Sequence, residues 1–413
     1  MTVWRATAAR LVWAVWVSAA TTAHAQTLPS EPIALADGRV TIGGDVSAGF
    51  GSDDPGFFDY TDYAHSALRL LRLDVSAAVK AGPHFTVLGE VRTENLGGMR
   101  PYALYLRVRP WASRDFDLQI GRVPPTFGGF NRRTYPNDNP LIGYPLAYQY
   151  LTTIRPDALP ATADELLRKR SLGWEVGYSV GDTSREEGVP LVSAFRWDTG
   201  VQAHATVGMV SATAAVTTGT LSNPLFTDDN DGRQIATRVE LRPVSGLVAG
   251  TSFARGPFVS RSAVRAALGV DAATDPYTQT AWGGDVEYSR GYYVLRAETI
   301  WSAWRLPAPA VSAAQRAIGG DLSALATSIE ARYKLYPGLF AAARYDHLGF
   351  SDLTGATLGT LPWDAPVTRL EVGAGYSLQR NLLVKVSVQR NTRDGGVLLR
   401  NANLGAVQIV FWF

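Results

Sequence analysis

The 413-residue sequence has no cysteine, which excludes a disulfide framework, a zinc–thiolate site and a cysteine nucleophile. Charge is also sparse: Asp, Glu, Lys and Arg make up 18% of the chain, against about 25% in ordinary soluble domains. Past the first two dozen residues there is no apolar run of about 18 residues, the length that would mark a membrane-spanning helix. The sequence is rich instead in glycine (40), proline (23), tyrosine (17) and tryptophan (11), with a mean hydropathy of −0.03. Aromatic and β-branched residues at this density exclude disorder. What is left is a large β-rich structure.

The first 25 residues read as an export signal. Arg5 and Arg10 form a basic start, Leu11 to Val17 an apolar core, and Ala23-His24-Ala25 a small-x-small cleavage site before Gln26. Cleavage there leaves basic and acidic side chains equal in number, so the sequence pI of 8.7 describes the precursor. No nucleic-acid role follows from it. The expected organisation is a cleaved signal over 1–25, a short periplasmic segment over 26–39 and one β-barrel over 40–413.

From residue 40 onward the dominant signal is period-two alternation in segments of about ten residues. In the segment from Leu325 to Leu335, Leu325, Ile329, Ala331, Tyr333 and Leu335 share one face, while Ser328, Glu330, Arg332 and Lys334 share the other. Arg369 and Glu371 oppose Leu370, Val372, Ala374 and Tyr376. Arg238, Glu240 and Arg242 oppose Ile235, Val239 and Leu241. Glu90, Arg92 and Glu94, then Arg107 and Arg109, then Arg296 and Glu298, continue the pattern. A charge facing lipid at the bilayer midplane costs roughly 2–4 kcal/mol, so the charged faces must point into a wet interior and the apolar faces outward. The fold class expected is an all-β, transmembrane, antiparallel β-barrel.

About 18 strands are expected, over 40–50, 67–80, 84–94, 100–109, 115–123, 172–180, 190–198, 201–208, 211–221, 232–242, 246–255, 279–289, 291–302, 324–334, 338–348, 367–378, 381–392 and 403–413. Merging segments within 190–221 gives 16. Short links such as Tyr336-Pro337-Gly338 alternate with long ones such as 51–66, 256–278 and 349–366. That rhythm of short periplasmic turns and long outer loops puts both termini on the periplasmic side.

Two stretches are distinctive. Val407, Ile409, Phe411 and Phe413 alternate up to a terminal aromatic residue, which resembles the signal read by the barrel-assembly machinery of the outer membrane. Residues 124–171, the third long loop, hold seven prolines, four tyrosines and Arg132, Arg133 and Arg155. Thr162-Ala163-Asp164-Glu165 is a capping box that predicts a short helix over 163–170. A loop this long needs a purpose, and folding into the lumen as a constriction is favoured over a surface rim.

The preceding junction, Ile120-Gly121-Arg122-Val123-Pro124-Pro125-Thr126-Phe127-Gly128, resembles the strand-to-loop junction of the phosphate-selective porin O/P superfamily. The resemblance implies trimeric channels for anions or small solutes. No lysine-rich segment accompanies the junction here, so phosphate specificity lacks a residue to carry it.

Arg132, Arg133 and Arg155 on the loop, with Arg107 and Arg109 on the wall, are the residues expected nearest a constriction. Glu90, Arg92, Arg238, Glu240, Arg296, Glu298, Arg332, Arg369 and Glu371 are expected to line the pore. There they would polarise lumen water or simply cross-link a wet wall. Asp228-Asp229-Asn230-Asp231-Gly232 lacks the register of a calcium loop, and the histidines are scattered, so no metal or other cofactor is expected. The acidic group Asp53, Asp54, Asp59 and Asp62 reads as a polar outer loop, or as a bridge to lipopolysaccharide through divalent ions. The adjacent Phe57, Phe58, Tyr60 and Tyr63 read as interfacial anchors or a sugar-stacking track.

The function expected is a porin in the bacterial outer membrane: a non-enzymatic channel for passive diffusion of small hydrophilic solutes or ions, with anion preference against cation preference left open by the sequence. It would be bounded by lipid and lipopolysaccharide, and trimeric if the resemblance holds. The alternatives are a barrel enzyme of lipase or protease type and a non-conducting structural barrel.

Overall fold

The computed structural model describes residue 29 and residues 31–61, 66–194, 196–270, 272–307 and 321–413, with the side chain of Arg132 left out. The expected signal over 1–25 lies outside the described residues, as do Asp62 and Tyr63.

Sixteen strands form a closed antiparallel barrel among the described residues. They are β1 (Val40–Gly51), β2 (Leu71–Lys80), β3 (Phe85–Glu94), β4 (Arg100–Val108), β5 (Phe116–Val123), β6 (Asp198–Val207), β7 (Val210–Thr217) and β8 (Gln234–Val244). They continue as β9 (Leu247–Pro257), β10 (Thr278–Arg290), β11 (Tyr293–Trp304), β12 (Leu322–Tyr336), β13 (Leu339–Phe350), β14 (Val367–Gln379), β15 (Leu382–Arg393) and β16 (Asn401–Trp412). Each pairs with its chain neighbours. The ring closes where β1 meets β16, with Asp45 opposite Trp412 and Gly51 opposite Ala406. A three-residue strand, Ile33–Leu35, adds to β1 at Val40–Ile42. Phe413 exchanges backbone hydrogen bonds with Gly44 at 2.9 and 3.0 Å, so the C-terminal residue is stitched into the seam.

The alternation predicts the faces correctly. On β14, Leu370, Val372, Tyr376 and Leu378 are 46–56% exposed, whereas Arg369 and Glu371 are fully buried. Val75, Val87, Ile120, Ile235, Trp282, Leu325 and Ile329 continue the same outward apolar belt around the ring. Closure leaves no unpaired strand edge, as a barrel in hydrocarbon requires.

The strand count settles at sixteen, though not by merging 201–208 with 211–221, which are both strands. The segments 172–180 and 190–198 are what drop out. Of the first, Val180 pairs in the two-residue ladder of Val180–Gly181 with Ala158–Leu159, and Val176 makes an isolated bridge to Glu186, while the second contributes Asp198 alone to β6. Both belong to a loop that runs from Pro124 to Trp197, longer than expected. Val176, Tyr178, Leu191 and Val192 are buried in an apolar core that the loop shares with the inner wall and with the loops at 52–70, 258–277 and 351–366.

Short turns of two to seven residues close one end, and the other carries eight loops, most of them much longer: loop 1 (52–70), loop 2 (95–99), loop 3 (124–197), loop 4 (218–233), loop 5 (258–277), loop 6 (305–321), loop 7 (351–366) and loop 8 (394–400).

Candidate functional site

Loop 3 turns into the lumen at Gly128. This residue has φ +81°, a conformation open to glycine at no steric cost. The Gly128 amide donates to Ser252 Oγ on β9 at 3.1 Å, and the Gly129 amide donates to Glu298 Oε1 on β11 at 2.7 Å. The loop then crosses the barrel and is fastened to the inward charges of the opposite wall. The Gly143 amide donates to Glu371 Oε1 at 3.0 Å, and Arg344 donates to the Gly143 carbonyl at 2.7 Å. Arg369 donates to the carbonyls of Tyr144 (3.1 Å) and Phe58 (2.7 Å). Lys385 Nζ donates to the carbonyls of Pro136, Asn139 and Leu141 at 2.7–3.0 Å, using all three of its N–H groups.

Two short helices carry loop 3 onward. α1 (Leu146–Gln149) is wholly buried, and Tyr148 on it donates to Glu298 at 2.6 Å. α2 (Ala163–Arg168) is two residues shorter than expected. Thr162 caps it by accepting from the Glu165 amide at 3.1 Å, while the Glu165 carboxylate reaches back to the Ala161 amide at 2.7 Å. Buried carboxylates tie the loop ends together. Asp364 of loop 7 accepts from the amides of Thr153 and Ser171, and Asp164 accepts from those of Thr357 and Leu358.

Loop 3 therefore changes the setting of the mixed charge pairs. The sequence reading placed them in open water, but Arg344, Arg369 and Glu371 are fully buried beneath the loop. Of the expected constriction arginines, Arg133 is neutralised by Glu330 at 2.7 Å. Arg155 is buried within the loop and does not face the lumen: it binds Asp157 at 2.8 and 2.9 Å and donates to the carbonyls of Val176 and Ser184. Only the backbone of Arg132 is described, in a single helical turn, Phe130–Arg133. Arg109 sits past the end of β4, exposed at the short-turn rim, and Arg107 lies 3.7 Å from Asp117. Arg238 is locked between Asp285 (2.6 Å) and Glu240 (3.0 Å), Arg296 joins Glu287 (2.6 Å) to Glu330 (2.9 Å), and Arg332 is exposed over the ring of Phe340.

Space remains along the wall built by β1–β5. A cavity of about 390 Å³ lies in its short-turn half, lined among others by Asp45, Asp74, Glu90, Tyr105, Asp138 and Trp197. A second cavity of about 260 Å³ lies in the long-loop half, between Arg92, Glu94, Arg100, Tyr102, Arg122 and Phe226. One cluster contributes walls to both. Arg92 donates to both oxygens of Asp74 (2.5 and 3.1 Å) and to Glu90 (3.4 Å), and Tyr135 of loop 3 donates to Glu90 at 2.6 Å. Burial pushes the Tyr135 hydroxyl up from its usual range, and Glu90 adds to the effect, so it is a donor at any physiological pH.

Of this cluster, sequence reasoning singled out Glu90 and Arg92 but missed Asp45, Asp74, Tyr102 and Tyr135. Arg72 and Asp74 carry the same i, i+2 charge spacing as the pairs it chose, a signal that was present in β2.

No protein-family model matches the chain, and no curated protein matches it. Solved structures do. OmpF of Salmonella typhi aligns with TM-score 0.54 at 13% identity, over 91% of this chain and 97% of its own. OmpT, an outer membrane protein of Vibrio cholerae, aligns with TM-score 0.52 at 11% identity, over 94% and 100%. The outer membrane channel DcaP of Acinetobacter baumannii aligns with TM-score 0.50 at 12% identity, over 93% and 100%. At these identities the likeness is one of fold.

Proposed function

We propose that the chain is an outer-membrane porin, a non-enzymatic channel for passive diffusion of small hydrophilic solutes, whose path follows the β1–β5 wall beside a loop-filled centre. One observation carries this reading: two cavities occupy opposite halves of the barrel along that wall, and the charged Arg92–Asp74–Glu90 cluster stands between them. Glu90 and Arg92 are the constriction, and the remaining inward charges hold loop 3. The resemblance of Ile120–Gly128 to the phosphate-selective porins supports the channel class, and the fold of OmpF and DcaP agrees with it.

An anion preference would rest on the loop arginines. With Arg133 and Arg155 paired, it loses those residues, and the free carboxylates of the short-turn cavity favour cations.

Lipid and lipopolysaccharide surround the belt, the leader over 1–25 directs export, and Val407, Ile409, Phe411 and Phe413 present the final strand to the assembly machinery. A homotrimer is supported by an asymmetry of the outer face. Trp282, Trp301, Tyr288, Tyr293, Tyr333 and Tyr376 anchor β10–β14, while the outward side chains of β2–β7 include no tyrosine or tryptophan. A wall whose strands point no tyrosine or tryptophan outward, with Trp111 of the β4–β5 turn at its rim, suits contact with another copy.

The test is planar-bilayer recording with the purified chain. Ohmic single-channel steps are expected, with a reversal potential under a salt gradient that Arg92→Gln displaces. Absence of steps at any protein concentration would refute the channel.

A further inference from the structure

The geometry points to the short-turn cavity as a binding site for a small organic cation, an ammonium or guanidinium group on an apolar body. This deepens the channel reading and rests on it only for how the solute arrives.

Asp45 on β1 is the central observation. It lines the cavity, is 7% exposed, and neither of its carboxylate oxygens has a hydrogen-bond partner. An ionised carboxylate held out of water without a partner is costly, and a cation with N–H donors removes that cost. Its cationic neighbours are committed elsewhere. Lys385 spends its three donors on loop-3 carbonyls, Arg72 holds Glu94 at 2.8 Å and the Tyr144 hydroxyl at 3.1 Å, and Arg92 holds Asp74 and Glu90. Asp138 of loop 3 adds an exposed carboxylate at the same cavity.

The cavity favours an organic cation over a metal ion. Among the described residues no three acidic or histidine side chains converge closely enough to hold a metal. The carboxylates instead spread around a space whose remaining walls include the rings of Trp197 and Tyr105, with centroids 6.3 Å apart. Aromatic faces attract ammonium and guanidinium groups, and about 390 Å³ falls within the range of small-molecule pockets.

The test is isothermal titration of the detergent-solubilised full chain with benzylammonium, benzyl alcohol and benzoate, three probes of one size that differ in charge. Benzylammonium should bind roughly tenfold or more tightly than the other two, the worth of a charge-assisted hydrogen bond. Asp45→Asn should erase that preference. Asp138→Asn, at an exposed loop position, should weaken it several-fold and guards against a folding defect in the first variant. Equal binding of the three probes, or a preference that both variants retain, would overturn the site. A chain that conducts without discriminating removes this inference alone. One that binds benzylammonium but never conducts removes the channel reading and leaves the site standing.

Discussion

The guanidinium of Arg92 lies 3.5 Å from the centroid of the Tyr102 ring while it holds both oxygens of Asp74. Tyr102 is buried and packs against Trp197 at 5.2 Å, so the arginine is sandwiched and cannot swing freely between the two cavities. A fixed cation beside two carboxylates gives the neck a local dipole, which acts on permeating ions as a steady field.

Removing that cation should open the neck and change its sign. Arg92→Ala is expected to raise single-channel conductance and to shift the reversal potential toward greater cation preference, since Asp74 and Glu90 then face the path alone. Leaving those carboxylates without their partner should also destabilise the barrel by about 3–5 kcal/mol, read as a lower melting temperature in detergent. Unchanged selectivity would place the conduction path elsewhere.

The fastening of loop 3 is separable from the barrel wall. Glu371 accepts from the Gly143 amide and from Arg344 at 2.7 Å, with both charged side chains fully buried. Glu371→Ala leaves Arg344 short of a counter-charge and the amide without an acceptor. A cost of about 3–5 kcal/mol follows, together with faster proteolysis within loop 3. Glu371→Gln keeps an acceptor for Gly143 and should show the milder proteolysis. Identical behaviour of the two variants would mean that Gly143 is not what the carboxylate holds.

The wall of this barrel was legible in the sequence because period two is a local property. Leu370 and Arg369 declare their faces whatever surrounds them. The same rule failed in loop 3 for a physical reason. Trp174, Val176 and Tyr178 alternate like a strand, but Val176 and Tyr178 pack into an apolar core with Leu159, Leu166 and Leu191, Trp174 packs on the rings of Phe57 and Tyr60, and the three have only a single bridge, Val176 to Glu186. The fate of the arginines was also hidden, since Arg133 finds its partner Glu330 across almost two hundred positions of sequence. No local spacing reports such a pairing. The pairs Glu90/Arg92 and Arg72/Asp74 were readable, but nothing in the alternation told which pairs loop 3 would cover and which would border open space.

Loop 1 carries a pH response. Burial pushes the Asp59 carboxyl up to about 6, with Asp54 adding to the rise and Arg369, 3.1 Å away, opposing it. Burial raises Asp54 as well. A carboxyl whose folded pKa lies above its unfolded value near 3.9 binds its proton more tightly in the folded chain. Its contribution is therefore complete below about pH 4 and lost as pH climbs through about 6. Melting curves of the native chain and Asp59→Asn should diverge across that window and run parallel above it. Divergence only above pH 7 would assign the response to another group.

The outer face offers the most direct test of placement. Leu370 is 47% exposed on the outside of β14, beside Arg369, which is fully buried on the inside. If hydrocarbon covers that outside, Leu370→Arg places a charge against lipid at a cost of roughly 2–4 kcal/mol near the midplane, and Val372→Arg, two residues along the same face, should cost a similar amount. In plain detergent micelles, which deform around a charge, both penalties should shrink. In water an exposed leucine replaced by arginine would cost almost nothing. Refolding yield into vesicles, compared with yield into micelles, therefore separates a lipid-facing belt from a solvated one. Equal yields for both variants in both media would remove the membrane from the account and the channel with it.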